Sequence, residues 1–249
     1  MLMEHFELAL ATMGVNQHTL DKVEKQALDT TGYTVLGGVF SKDQLTHLRK
    51  LFDETARQQS QAGPTEKETG TRHLKDIHLT EPFWRVPLHP RILAAAFHVL
   101  QRQFISSIPH GREPLQGFGQ QGLHMDWRTG GHGNVFYVAT AICLLDDFTN
   151  ENGATRVVPG SHRNAEWPSK KISDPAYIHP NQVTVTAAAG SALFFNGHLL
   201  HSGTRSRSPL RRRTLQCSFA AFEVRGWIAG TGEQVATDDQ AARLIFGYD

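Results

Sequence analysis

The chain has 249 residues, enough for one large domain or two small ones. Its 25 basic and 24 acidic residues leave a net charge of +1 with no long single-sign run, so nothing in its charge supports a nucleic-acid or membrane partner. The two cysteines, Cys143 and Cys217, sit in apolar runs and read as buried free thiols of a reducing compartment. No stretch reaches the about 18 uninterrupted apolar residues of a membrane span. The first residues, through Met13, carry Glu4 and Glu7 in place of the basic start of a secretory signal, so the expectation is a soluble, cytoplasmic protein.

In chain order, Asn16 to Thr30 predicts an amphipathic helix with Leu20, Val23, Ala27 and Leu28 on its apolar face, followed by a short strand from Tyr33. Ser41-Lys42-Asp43-Gln44 is a capping box, and Leu45, Leu48, Phe52 and Ala56 follow at helical spacing. Ala62 to Thr71 is polar, with Gly63, Pro64 and Gly70, and reads as a loop. Pro90 opens a further helix whose buried face is Ile92, Leu93, Ala96, Phe97 and Leu100. From about Phe104 the texture changes to short strands. Val135 to Asp147 reads as a central strand covered on both faces, and ENGATRVVPGSH as a turn leading to a short strand. QVTVTAAAG, SALFFNG and RTLQCSFAAF are three more strands. The expectation is a single domain over 1–249, mainly β with flanking helices. Residues 1–103 would be mostly helical support, and 104–249 mostly strands of a double-stranded β-helix of the jelly-roll or cupin type.

Within the β-rich part, GQQGLHMDW holds His124 and Asp126 one residue apart. Along a strand, alternate residues share a side, so these two would converge while Met125 faces away. FFNGHLLHSGT brings a second β-rich run with His198 and His201, either of which could complete a set of two imidazoles and one carboxylate. Such a set holds Fe(II) on one face and leaves the other open, which is oxygenase chemistry.

These segments resemble the phytanoyl-CoA dioxygenase (PhyH) family of Fe(II)- and 2-oxoglutarate-dependent oxygenases. The resemblance runs from GYTVLGGVFSKDQLTHLRKLFD to RRRTLQCSF and is most specific at QGLHMD, ENGATRVVPGSH and AGSALFFNGHLLHSGT. It implies His124, Asp126 and His201 as the iron ligands, choosing His201 over His198. It also implies Fe(II), O2 and 2-oxoglutarate as cofactors and cosubstrates, with Arg212, eleven residues past His201, holding 2-oxoglutarate. Gln121 matches a polar position of the family and is a candidate contact to 2-oxoglutarate, although strict strand parity puts it on the side of Met125. Where some relatives carry a serine two residues after the distal histidine, this chain has Gly203. A carboxylate at Asp126 argues against halogenation, for which related enzymes carry a small residue there.

Arg212 lies between Arg211 and Arg213, and parity separates the three. Arg212, Thr214, Gln216 and Ser218 form a polar face suited to lining a site, while Arg213, Leu215, Cys217 and Phe219 form the face suited to packing under helices. A guanidinium in the lining can grip a carboxylate with two charge-assisted hydrogen bonds, which lysine cannot do. Trp127 and Arg128 directly after the ligand segment, with Arg72 and Arg112, are candidate substrate contacts. They favour a small substrate with an anionic group, such as a specialised metabolite or amino-acid derivative. The expected activity is hydroxylation of an unactivated C–H bond; the alternative is a barrel that binds metal and 2-oxoglutarate as a sensor without turnover. The sequence leaves the oligomeric state open.

Overall fold

A computed structural model describes residues 2–61, 70–74, 77, 81–127, 135–164, 168–228 and 235–248. Helix α1 (Leu2–Thr12) is followed by α2 (Lys22–Thr30) and strand β1 (Tyr33–Leu36), then by α3 (Lys42–Gln61), β2 (Thr71–Leu74), α4 (Glu81–Trp84) and α5 (Pro90–Leu100). Strands β3 (Phe104–Ser106), β4 (His110–Pro114), β5 (Val138–Leu144), β6 (Thr155–Val157), β7 (Val183–Thr184), β8 (Ala192–Asn196), β9 (His201–Gly203) and β10 (Thr214–Ala221) come next, and α6 (Gln240–Phe246) closes the described chain.

Local chemistry sets several of these boundaries. Residues Asn16 to Leu20 stay outside α2, because the Asp21 carboxylate accepts from the Glu24 amide and Glu24 returns a bond to the Asp21 amide. Val23, expected on the buried face, is 74 % exposed, while Leu20 and Leu28 are buried. The same reciprocal pair between Ser41 and Gln44 opens α3. The loop expected over Ala62 to Thr71 is shortened at its end, where Thr71 begins β2; residues 62–69 lie outside the described residues.

Seven antiparallel strands form the larger sheet, in the order β1-β8-β5-β10-β4-β2 with β3 also on β10; a smaller sheet runs β7-β6-β9. Parity then sorts the side chains into two cores. On the outer face Ala141, Cys143, Phe194, Leu215, Cys217 and Phe219 pack under Phe6, Leu48, Phe52, Ile92, Leu93 and Ala96 of the helices. Between the sheets Ile142, Leu144, Phe148, Val157, Leu193, Phe195 and Leu199 make a second cluster. β5 shows no polar alternation because both of its faces are covered. Both cysteines are free and buried on the helical side, and burial pushes both thiols up. Among the described residues no helix is long and apolar enough to cross a membrane.

Candidate active site

His201 opens β9, and its amide and carbonyl exchange hydrogen bonds of 2.9 and 3.0 Å with His124. The segment carrying His124 therefore lies beside β9, but it is not the regular strand expected. His124 makes a single bridge, and the chain turns at Asp126, whose amide donates to the Gly197 carbonyl at 2.8 Å. The convergence of these two side chains owes as much to that anchoring as to strand parity. Thr140 on β5 donates to Asp126 Oδ2 at 2.7 Å and fixes the carboxylate.

One nitrogen of each imidazole is committed to the backbone: His124 Nδ1 to the Gly122 carbonyl and His201 Nδ1 to the Leu199 carbonyl, both at 2.9 Å. A ring that donates Nδ1–H keeps Nε2 as a lone-pair donor, the tautomer a metal requires. Nε2 of His201 stands 3.5 Å from Asp126 Oδ1, and one ligand atom from each of His124, Asp126 and His201 lies within 4.8 Å of the others. Burial, with His124 beside it, pushes His201 down to about 4 against the opposing pull of Asp126, so the ring is neutral at pH 7. Two oriented imidazoles and one pinned carboxylate fit a ferrous ion. His198, the competing histidine, points elsewhere: it is buried against Phe136, with ring centroids 5.4 Å apart.

The three groups share a cavity of about 160 Å³ with His110, Arg112, Gln121, Thr140, Thr155, Ser202, Gln216 and Ser218, closed on one side by Ile142 and Phe195. Gln216 and Ser218 face inward as parity predicts, and Leu215, Cys217 and Phe219 face the helices. Strict strand parity does not hold at Gln121. Gly119, at φ +88°, bends the chain, and Gln121 turns into the cavity with its Oε1 accepting from the Gly203 amide at 3.1 Å. Arg212 and Thr214, expected on the same face, are buried but do not line the cavity; the guanidinium carbon of Arg212 lies 5.1 Å from the centre of the Phe148 ring. Its neighbours are on the outside: Arg211 pairs with Glu113 and Asp53, and Arg213 with Asp146 and Asp53.

The expected substrate contacts divide. Arg112, buried on β4, lines the cavity. Arg72 does not. It sits opposite Glu113 in the β2–β4 register and pairs with that carboxylate on the outer face, beside Arg211. The residue that β2 places opposite Arg112 is His73. Trp127 lies outside the cavity lining, its ring against Tyr137 and Trp227 at 5.6 and 6.2 Å. Arg128, with the glycine-rich run through Asn134, lies outside the described residues. Sequence reading missed Thr140, hidden in a strand with no polar period, and also His110 and Arg156. Buried Arg156 gives only a bland signal inside a turn-and-strand segment.

Three convergent groups able to hold a metal ion, beside a polar cavity in a double-stranded β-helix, fit the class of non-haem iron oxygenases. A model of the phytanoyl-CoA dioxygenase (PhyH) family matches residues 28–214, and the chain belongs to that family, as an Fe(II)/2-oxoglutarate-dependent dioxygenase. An uncharacterised protein of Mycobacterium tuberculosis, Rv1501, is 29% identical over 222 residues, 82% of this chain and 76% of that protein. Dioxygenase trt7 of Aspergillus terreus is 26% identical over 218 residues, 79% of this chain and 72% of its own length. Among solved structures, HygX from Streptomyces hygroscopicus, with nickel, 2-oxoglutarate and hygromycin B bound, shares the fold. Its TM-score is 0.68 at 19% identity, over 82% of this chain and 88% of that one. EctD from S. alaskensis, with 2-oxoglutarate and 5-hydroxyectoine, gives 0.66 at 21% identity, over 84% and 79%.

Proposed function

We propose that this protein hydroxylates an unactivated C–H bond of a small molecule, with His124, Asp126 and His201 holding iron and Arg212 and Gln121 receiving 2-oxoglutarate. The observation that carries the reading is the cluster of three oriented donor groups within 4.8 Å on one wall of a polar cavity. When bound, the ferrous ion with 2-oxoglutarate and O2 supplies oxidative decarboxylation, giving succinate and CO2 while one oxygen atom goes to the substrate. The residues do the positioning. The Gly122 and Leu199 carbonyls hold the two imidazoles in one tautomer, and Thr140 keeps one carboxylate oxygen of Asp126 occupied so that the other is offered. The buried guanidinium of Arg212 suits a carboxylate, which it can grip with two parallel bonds. Ile142 and Phe195 give the cavity an apolar part of its lining. Arg112 on the cavity wall supports a substrate or cosubstrate group bearing negative charge. HygX and EctD were solved with hygromycin B and 5-hydroxyectoine, which supports a small molecule as the class of substrate. Two buried free thiols support a reducing, cytoplasmic setting.

The test is anaerobic addition of 2-oxoglutarate to the Fe(II) protein. A visible charge-transfer band is expected, and iron bound without that band overturns the assignment. Screening small carboxylates and amino-acid derivatives for stimulated succinate release then separates an enzyme from a sensor, which gives the band but no turnover.

A further inference from the structure

Arg156 is 2 % exposed, and its four hydrogen-bond partners are neutral and come from three stretches of chain. Its Nε donates to Ser202 Oγ at 2.7 Å, beside His201. One Nη donates to the Gln121 carbonyl at 3.0 Å, three residues before His124. The other donates to the Tyr177 carbonyl at 2.8 Å and to Gln182 Oε1 at 3.1 Å. A planar fork with five donors is the one side chain able to serve these acceptors together, and none of these bonds neutralises its charge.

The stretch around Tyr177 is held against the His124 segment at two further points. Gln120 Nε2 donates to the Pro175 carbonyl at 2.6 Å. Gly122 is packed so closely that a Cβ there would overlap the backbone carbonyl of Ser173. That same Gly122 carries the carbonyl that orients the His124 ring. The segment from Ser173 to Gln182 thus forms a strap across the residues that lead into His124, with Arg156 joining it to the strand that carries His201.

We infer that Arg156 is a positioning residue for the metal centre: it fastens the 173–182 strap to both histidine-bearing segments and thereby sets the separation of His124 from His201. This rests on the metal-site reading above and adds a mechanical link to it. Loss of the link frees the strap and lets the two imidazoles drift, with no change to any ligand.

The experiment compares Arg156→Met, Arg156→Lys and Gly122→Ala with the unaltered protein by three readings: limited proteolysis of the metal-free protein, anaerobic Fe(II) affinity, and the visible spectrum with 2-oxoglutarate. Arg156→Met and Gly122→Ala should each speed cleavage within 173–182 more than tenfold. Each should weaken Fe(II) binding about 10- to 100-fold, the range typical of groups that orient metal ligands. Each should also shift the charge-transfer band. Arg156→Lys should recover part of all three. The double variant Gly122→Ala/Arg156→Met should be little worse than either single change, since both release one strap. If Arg156→Met fails to fold, Arg156→Lys and Gly122→Ala carry the comparison. Faster cleavage with Fe(II) affinity and band unchanged within twofold overturns the inference, and so do additive effects in the double variant. Failure of the unaltered protein to bind Fe(II) would instead sink the functional reading.

Discussion

Among the three consecutive arginines, neighbours in sequence have opposite surroundings. Arg212 lies between the sheets over Phe148, while Arg211 and Arg213 are tied to Glu113, Asp53 and Asp146 on the outside. Arg212→Leu is expected to weaken 2-oxoglutarate binding more than tenfold in an anaerobic titration, whereas Arg211→Leu should leave it within about twofold; equal losses would refute the parity assignment. At Asp126 the decisive neighbour is Thr140. Replacing it by valine keeps the volume and deletes the 2.7 Å bond, and Fe(II) affinity should fall about tenfold or more. An unchanged dissociation constant would mean that the carboxylate is held by other means. Alternation along the strand set Arg212 apart from its neighbours in the sequence, whereas at Gln121 strict alternation does not hold. The left-handed backbone at Gly119 breaks the period; glycines on either side of Gln121 allowed such a bend, and the fold shows it.

Strand β10 carries the division between core and site. Phe219 is buried against Phe104 and Phe194, with ring centroids 5.6 and 6.0 Å away, whereas Ser218 one residue earlier faces the cavity and meets Thr140 at 3.4 Å. Phe219→Ala should cost about 3–5 kcal/mol in urea unfolding. Ser218→Ala should cost less than about 1 kcal/mol. Similar costs would contradict the two-faced strand. Period-2 patterning and the capping box at Ser41 made β10 and α3 legible in advance. The segment from Gln121 to Trp127 was less so. A single bridge holds it, and its path is set by contacts to β9 and Gly197 rather than by a propensity of its own. Arg72 failed for a related reason. The register of β2 on β4 pairs it with Glu113, and a shift of one residue would have sent it inward in place of His73.

Among the described residues, burial shifts His162, His198 and His201 toward the neutral ring, most strongly the last two. His198 is pushed down to about 4 by burial and by His162, and His201 to about 4 by burial and His124. Unfolded, each titrates near 6.5, so between those values the unfolded chain binds more protons and stability rises with pH. The contribution of these rings to the stability of the metal-free protein should therefore be fully present above about pH 6.5 and be lost as the pH falls toward 4, about 3 kcal/mol for His198 alone. Urea midpoints at pH 7, 5.5 and 4.5 check this, and a flat profile would show that the rings are not desolvated. Bound metal should protect His201 in this window and leave the contribution of His198. The sequence by itself determined the chemistry available: which residue types stand in an H-x-D pair, a distant histidine and an arginine past it, and which alternation separates a helix-covered face from a polar one. Only the tertiary structure decided which of those groups meet. Strand order and register are long-range choices that local pattern does not encode. They bring His201 rather than His198 beside His124 and Asp126, turn Arg112 inward and Arg72 outward, and place Thr140 against Asp126 and Arg156 against Ser202.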